Sequence, residues 1–263
     1  MSDPAAIISS TSPGVLQVAI KRKKKKNAID EQTRHALIHA IATGLNDTDV
    51  RALLLCGTHG IFCAGGDLAS MRDMTEQAAR TRMQSGHQLI KLLWYANIPV
   101  VVAMERFAIG AGAGLALVAD YIVAGENARM SFPFLQLGLV PDWGATQSLI
   151  RKAGWGNAKR LVLDRASLKG RALLDLGLVE QVVEDDCVMD VATDKALEFS
   201  RLPQLALQQF KEATRRSTQD IETALSAEED DQTACFLSEE FEEGLSALQQ
   251  KRDPDFFKDS SGE

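Results

Sequence analysis

The sequence is short of several things at once. No stretch reaches the roughly 18 uncharged apolar residues that a membrane-crossing helix needs. The first twelve residues carry no basic run followed by an apolar one, so no secretory leader is expected and a cytoplasmic protein is. The only cysteines, Cys56, Cys63, Cys187 and Cys235, stand far apart without a CxxC pair. That spacing argues against a disulfide framework or a zinc site and suits small buried hydrophobes. No glycine-rich segment continues into GK followed by Ser or Thr, so a phosphate-binding loop of that kind is unsupported. The run Gly110 to Gly114 is followed by Leu115, which puts the third glycine of a dinucleotide fingerprint one residue out of place. His35 and His39 share a helix face but lack a third ligand and the HExxH order, so they read as an exposed face and no metal site is expected.

What is present is ordinary globular material. The chain has 263 residues, 45% hydrophobic and 25% charged, enough for one large domain or one with a smaller appendage. Its formal net charge of −7 repels phosphodiester backbones unless a local patch overrules it, so no nucleic-acid partner is expected. One patch could: Lys21 to Lys26 is six consecutive cations, readable as a solvated loop, a nucleic-acid or localisation tract, or a contact for a small phosphate-rich ligand. The acidic clusters Glu228 to Asp231 and Glu239 to Glu243 read as outer faces of C-terminal helices.

Along the chain, strand and helix patterns alternate. A short strand around Val15 to Ile20 precedes a helix over about 31–45 with Asp30 as its N-cap. The apolar run Val50 to Cys56 leads through a glycine-rich loop, Gly57 to Gly66, into a helix over about 76–95. Pro99 to Ala103 and Tyr121 to Ala124 read as buried strands flanking a small-residue helix over 110–118. This alternation predicts α/β layering with parallel crossovers. After about Pro203 the spacing of Leu205, Leu207, Phe210, Ile221, Leu225, Phe236, Leu237, Phe241, Leu245 and Leu248 is wholly helical. The expected division is a core domain over 1–202 and a helical module over 203–263. No sequence repeat is visible.

Two segments hold more small residues than a generic core needs: Phe62-Cys-Ala-Gly-Gly-Asp-Leu68 and Gly110-Ala-Gly-Ala-Gly114. Close packing of helix on sheet is one use for them. The other is electrostatic, because a helix N-terminus presents unpaired N–H groups, and two such loops facing each other can hold a developing oxyanion. These two runs resemble the enoyl-CoA hydratase/isomerase family, the crotonase superfamily. So do Leu137 to Leu149 (LGLVPDWGATQSL), Lys23 to Ile29, Gly170 to Val179, Gly244 to Arg252 and Phe257 to Asp259. The likeness spans nearly the whole chain.

The resemblance implies an α/β spiral of repeated ββα units with C-terminal helices that assemble a homotrimer or a dimer of trimers. It implies an acyl-CoA thioester substrate, no cofactor beyond that coenzyme A, and enolate chemistry. By the same resemblance the thioester oxygen is held by the backbone N–H groups of Gly66 and Ala111. Ala64 meets the adenine, and Lys24, Lys26 and Lys251 approach the coenzyme A phosphates. Asp67, Leu68, Phe134 and Trp143 complete the expected binding set. The positions where hydratases of this family carry two glutamates are Gly114 and Phe134 here, and neither can move a proton. A carboxylate does stand at another active position, Asp142, where family isomerases carry the proton shuttle and the 4-chlorobenzoyl-CoA dehalogenase its nucleophile. Its apolar flanks, Phe132, Phe134, Leu137, Leu139, Val140 and Trp143, should raise its pKa toward a working base. On local sequence alone Asp142 also fits as an N-cap for the helix beginning near Gly144. The expected activity is Δ3/Δ2 enoyl-CoA isomerisation with Asp142 as the acid/base. Hydration, thioester hydrolysis, dehalogenation and a non-catalytic CoA-binding subunit are the alternatives.

Overall fold

Apolar runs become the central strands of a computed structural model that describes residues 6–71, 75–216, 238–250, 252 and 254–256. Strands β1 (Ala6–Ser12), β2 (Val15–Ile20), β3 (Ala52–Gly57), β4 (Val100–Met104), β6 (Tyr121–Gly125) and β9 (Gln181–Val183) form a six-stranded sheet in the order β1-β2-β3-β4-β6-β9. Only the edge pair β1/β2 is antiparallel. Every residue of β3 and β4 is buried, as a parallel strand covered on both faces requires. Their side chains alternate between two cores: Leu53, Leu55, Val100, Val102 and Met104 face one, while Ala52, Leu54, Cys56, Val101 and Ala103 face the other. The second core is roofed by α6 (Val188–Ser200) through Val188, Ala192 and Ala196.

Helices α1 (Glu31–Leu45) and α2 (Glu76–Trp94) follow the first two parallel strands, and their bounds match the sequence reading almost residue for residue. Asp30 caps α1 as expected, its Oδ1 accepting from the Thr33 N–H at 2.9 Å. The other α-helices among the described residues are α3 (Ala111–Leu117), α4 (Ala145–Leu163), α5 (Arg171–Asp175), α7 (Gln204–Arg215) and α8 (Glu239–Gln250). A second, three-stranded sheet contains β5 (Phe107–Ile109), β7 (Arg129–Ser131) and β8 (Ser167–Lys169).

A structural repeat exists that the sequence conceals. Each unit places a strand in the first sheet, then a shorter extended segment, then a helix. The short segments pair in succession through the parallel bridges Ile29 with Gly66 and Cys63 with Ala108, and then the parallel ladder β5/β7. The chain therefore winds as a spiral of ββα units. Two of its strand-to-helix corners are made alike, by Gly110 (φ 53°, ψ −117°) and Gly170 (φ 49°, ψ −123°), in a region closed to other residues.

The helical tail departs from its sequence reading in one respect. Glu240 is not a passive outer face: its carboxylate accepts the Gln204 and Leu205 N–H groups at 2.6 and 3.0 Å, capping α7 from α8. Glu243 pairs with Arg252 at 2.6 Å. The cluster Glu228 to Asp231 and residues Ile221, Leu225, Phe236 and Leu237 lie outside the described residues. Of the cysteines, Cys56 and Cys63 are buried, Cys187 is exposed rather than buried, and Cys235 lies outside the described residues.

A candidate active site where two loops meet

Both small-residue loops are fixed by backbone hydrogen bonds before any side chain is considered. The first is held against β5 by Phe62 N–H to Glu105 O and Cys63 N–H to Phe107 O, each 2.8 Å, with Ile109 N–H returning to Cys63 O at 3.2 Å. Its other edge takes the Ile29 N–H on Gly65 O at 2.7 Å and sends the Asp67 N–H to Ile29 O at 3.0 Å. Gly65 makes the turn at φ 97°, where a Cβ would stand 2.5 Å from Ile109 O. Asn27, fully buried, ties the underside by donating to Thr58 O and Ile61 O and accepting from Arg22 N–H. Sequence reading passed over Asn27; its place between the lysine run and a helix cap was the available signal. Cys63 lies beneath the loop, its thiol pushed up to about 12 by burial, and is inert as a nucleophile.

The Gly66 and Ala111 N–H groups each lack an acceptor among the described residues. Both residues line one small cavity of about 120 Å³, together with Ala64, Leu68, Phe134, Leu137, Leu139 and Asp142. Six of the residues singled out from sequence are thus brought together. A cleft of about 620 Å³ opens elsewhere along α2, lined by Gln84, His87, Lys91 and Tyr95, but contains neither loop. The smaller cavity is the one with convergent unpaired donors and a carboxylate, the combination chemistry requires.

Asp142 enters that cavity from a constrained turn. Trp143 and Gly144 follow it in the left-handed region at φ 52° and 72°. Gly144 is the N-cap of α4 and no side chain caps that helix, so Asp142 does not serve as its cap. Its Oδ1 is buried without a hydrogen-bond partner. Burial raises the Asp142 pKa, partly offset by the charges of Arg82 and His87. A carboxylate with one unpaired oxygen and an elevated pKa at a cavity wall has the properties of a proton acceptor.

The other described residues of the expected set do not line this cavity. Trp143 does not line the cavity: its buried indole packs on α2, where a Cβ on Gly86 would meet Nε1 at 2.8 Å. It anchors the turn that carries Asp142. Asp67 is spent on the loop, pairing with Arg22 at 3.1 Å and accepting the Ala69 N–H at 3.2 Å. Lys24 and Lys26 are exposed outside the cavity, with Lys26 Nζ lying 5.9 Å from the Phe107 ring centroid and Lys26 O accepting the Ala64 N–H. Arg22, within the same run, is held by Asp30 and Asp67 and is not a free cation. Lys251 lies outside the described residues. His35 and His39 are exposed on α1, as read.

The glycine at position 114 is enforced by its neighbours. A Cβ there would stand 2.7 Å from Trp143 O and 3.1 Å from Asp142 O, so the Asp142 turn fills the space that a longer side chain would need. Phe134, at the other such position, is buried against Gly110 and forms apolar wall.

Comparison with known proteins gives the chain a family and a fold. The family model described as enoyl-CoA hydratase/isomerase matches residues 10–259. The chain is 34% identical to the 2,3-dehydroadipyl-CoA hydratase of Escherichia coli K12 over 95% of its own length and 98% of the relative's. It is 32% identical to the 1,2-epoxyphenylacetyl-CoA isomerase of the same organism, over 95% and 97%. The crystal structure of an enoyl-CoA hydratase from Bacillus anthracis superposes with a TM-score of 0.91 at 25% identity, covering 96% of this chain and 98% of that one.

Proposed function

Because the chain belongs to the enoyl-CoA hydratase/isomerase family, and hence is a crotonase-fold acyl-CoA enzyme, we propose that its reaction is migration of a double bond between the Δ3 and Δ2 positions of an enoyl thioester. The observation that carries this reading is Asp142, a half-buried carboxylate with Oδ1 unpaired, sharing a cavity with two backbone donors that lack an acceptor among the described residues. The thioester oxygen accepts from the Gly66 and Ala111 N–H groups. Asp142 removes the proton at C2, and the electron pair moves into the enolate held by those donors. The same carboxyl group then delivers the proton to C4 as the pair returns, leaving the double bond between C2 and C3. Each well-placed donor of this kind contributes about 2.7–4 kcal/mol to the barrier reduction. One acid/base therefore suffices.

Hydration is the second reading, favoured by the hydratase names of several relatives. Against it stand Gly114 and Phe134, which offer no second carboxylate. The test is incubation with 3-enoyl-CoA and 2-enoyl-CoA thioesters in deuterated, ¹⁸O-labelled water. Isomerisation gives a shifted double bond and no ¹⁸O, with deuterium only to the extent that protonated Asp142 exchanges with solvent, while hydration gives a mass gain carrying ¹⁸O. Asp142→Asn should remove turnover by at least three orders of magnitude while acyl-CoA binding persists. Retained turnover in that variant would overturn the assignment.

A further inference from the structure

The cavity's surroundings contain charge that a proton shuttle does not use. Arg82, on α2, reaches back toward the first loop: a Cβ on Gly66 would lie 3.0 Å from its Nη2. Its Nη1 donates to Ser70 Oγ at 3.1 Å, holding the guanidinium beside the loop. Behind it, Arg34 of α1 is buried, donates through Nε to Ser85 Oγ, and leaves Nη1 buried without a partner. Neither guanidinium has a carboxylate within ion-pair distance among the described residues. Asp142 feels the charge of Arg82 without forming an ion pair with it. Two cations thus stand just behind the Gly66 side of the cavity, which itself is lined by one carboxylate, and an unpaired buried donor such as Arg34 Nη1 is costly to maintain.

Resting on the reading of this cavity as the acyl site, we infer that Arg82, with Arg34 behind it, receives a carboxylate at the far end of the acyl group, so that the preferred substrates are short dicarboxylic acyl-CoA thioesters. A guanidinium recognises a carboxylate through paired N–H donors, which an alkyl terminus cannot engage. A cavity of about 120 Å³ holds about four water-sized groups, which suits a short chain. A terminal carboxylate on the substrate evens that count at two of each sign: Arg82 gains a counter-ion while Asp142 keeps its task.

The experiment uses two saturated, unreactive thioesters of equal chain length, glutaryl-CoA and valeryl-CoA, titrated calorimetrically into the full-length protein. The wild type should bind glutaryl-CoA at least tenfold more tightly. Arg82→Leu should bring the ratio of dissociation constants close to one, and Arg82→Lys should keep part of it. Arg80→Leu, on the same helix but paired with Glu76 at the surface, should preserve the full ratio. Equal affinities in the wild type would overturn the inference without any variant having to fold. Equal weakening of both thioesters by Arg82→Leu would place the guanidinium on the coenzyme A phosphates and also overturn it. Turnover does not enter this measurement, so the isomerase reading and the carboxylate inference fail separately.

Discussion

Asp142 stands in tension between what it does and what it costs. One oxygen of its half-buried carboxylate is buried without a partner, and burial raises its pKa above the ordinary 3.8. A raised acid pKa means that the ionised form is less favourable folded than unfolded. That cost is present above the folded pKa and vanishes below the unfolded one. Asp142→Asn should therefore raise the melting temperature at pH 7, and the gain should shrink as pH falls toward 4. Calorimetry of both proteins at the two pH values checks it; an unchanged difference would mean that Asp142 is not the buried anion. At this scale much of the site was legible from sequence. Gly66, Ala111, Ala64, Leu68, Phe134 and Asp142 do line one cavity. What sequence could not show was side-chain direction. Trp143 lies next to Asp142 in the chain yet points into α2, because left-handed backbone angles turn it there.

Elements were legible wherever one period dominated. Helix α1 and strands β3 and β4 have strong patterns and were read nearly to the residue. The three-residue strands β5, β7, β8 and β9 are too short to show a period, and their existence is decided by pairing partners far away in sequence. The edge strand β1 has a polar run, SSTS, that gave no strand signal. Another long-range device is the docking of α7. Lys211 is buried, ion-paired with Asp120, and donates to Ile98 O at 2.8 Å, while Arg215 donates to Trp94 O at 2.8 Å. Asp120 also accepts the Val100 N–H at 2.8 Å, so one carboxylate joins the helix to the start of β4. Lys211→Ala should cost about 2–3 kcal/mol, less than the 3–5 of a wholly buried pair because Asp120 is partly exposed. Chemical denaturation would register it as a lower midpoint with little change in slope. A loss under about 0.5 kcal/mol would mean that the pair is a surface contact.

The whole molecule carries a net charge of −7, and yet its proposed substrate bears a polyanionic nucleotide tail. The exposed lysines from Lys23 to Lys26 offer a local answer, with Lys26 joined by its carbonyl to the loop at Ala64. Replacing Lys24 and Lys26 together by Glu should weaken acyl-CoA binding by about tenfold at low ionic strength, and the difference should narrow steeply by 0.5 M salt as exposed charges are screened. A salt-independent loss, or none, would return these lysines to the solvated-loop reading. The spiral itself has one more consequence. The two proposed oxyanion donors, Gly66 and Ala111, are main-chain groups from successive turns, fastened to each other through Cys63, Phe107 and Ile109 by hydrogen bonds that no substitution other than proline deletes. Mutation can therefore reach the proton-handling residues while the anion cradle is inherited intact. A lineage built on such a frame can exchange one reaction for another at the cost of a residue or two, keeping the shared intermediate and changing only what becomes of it.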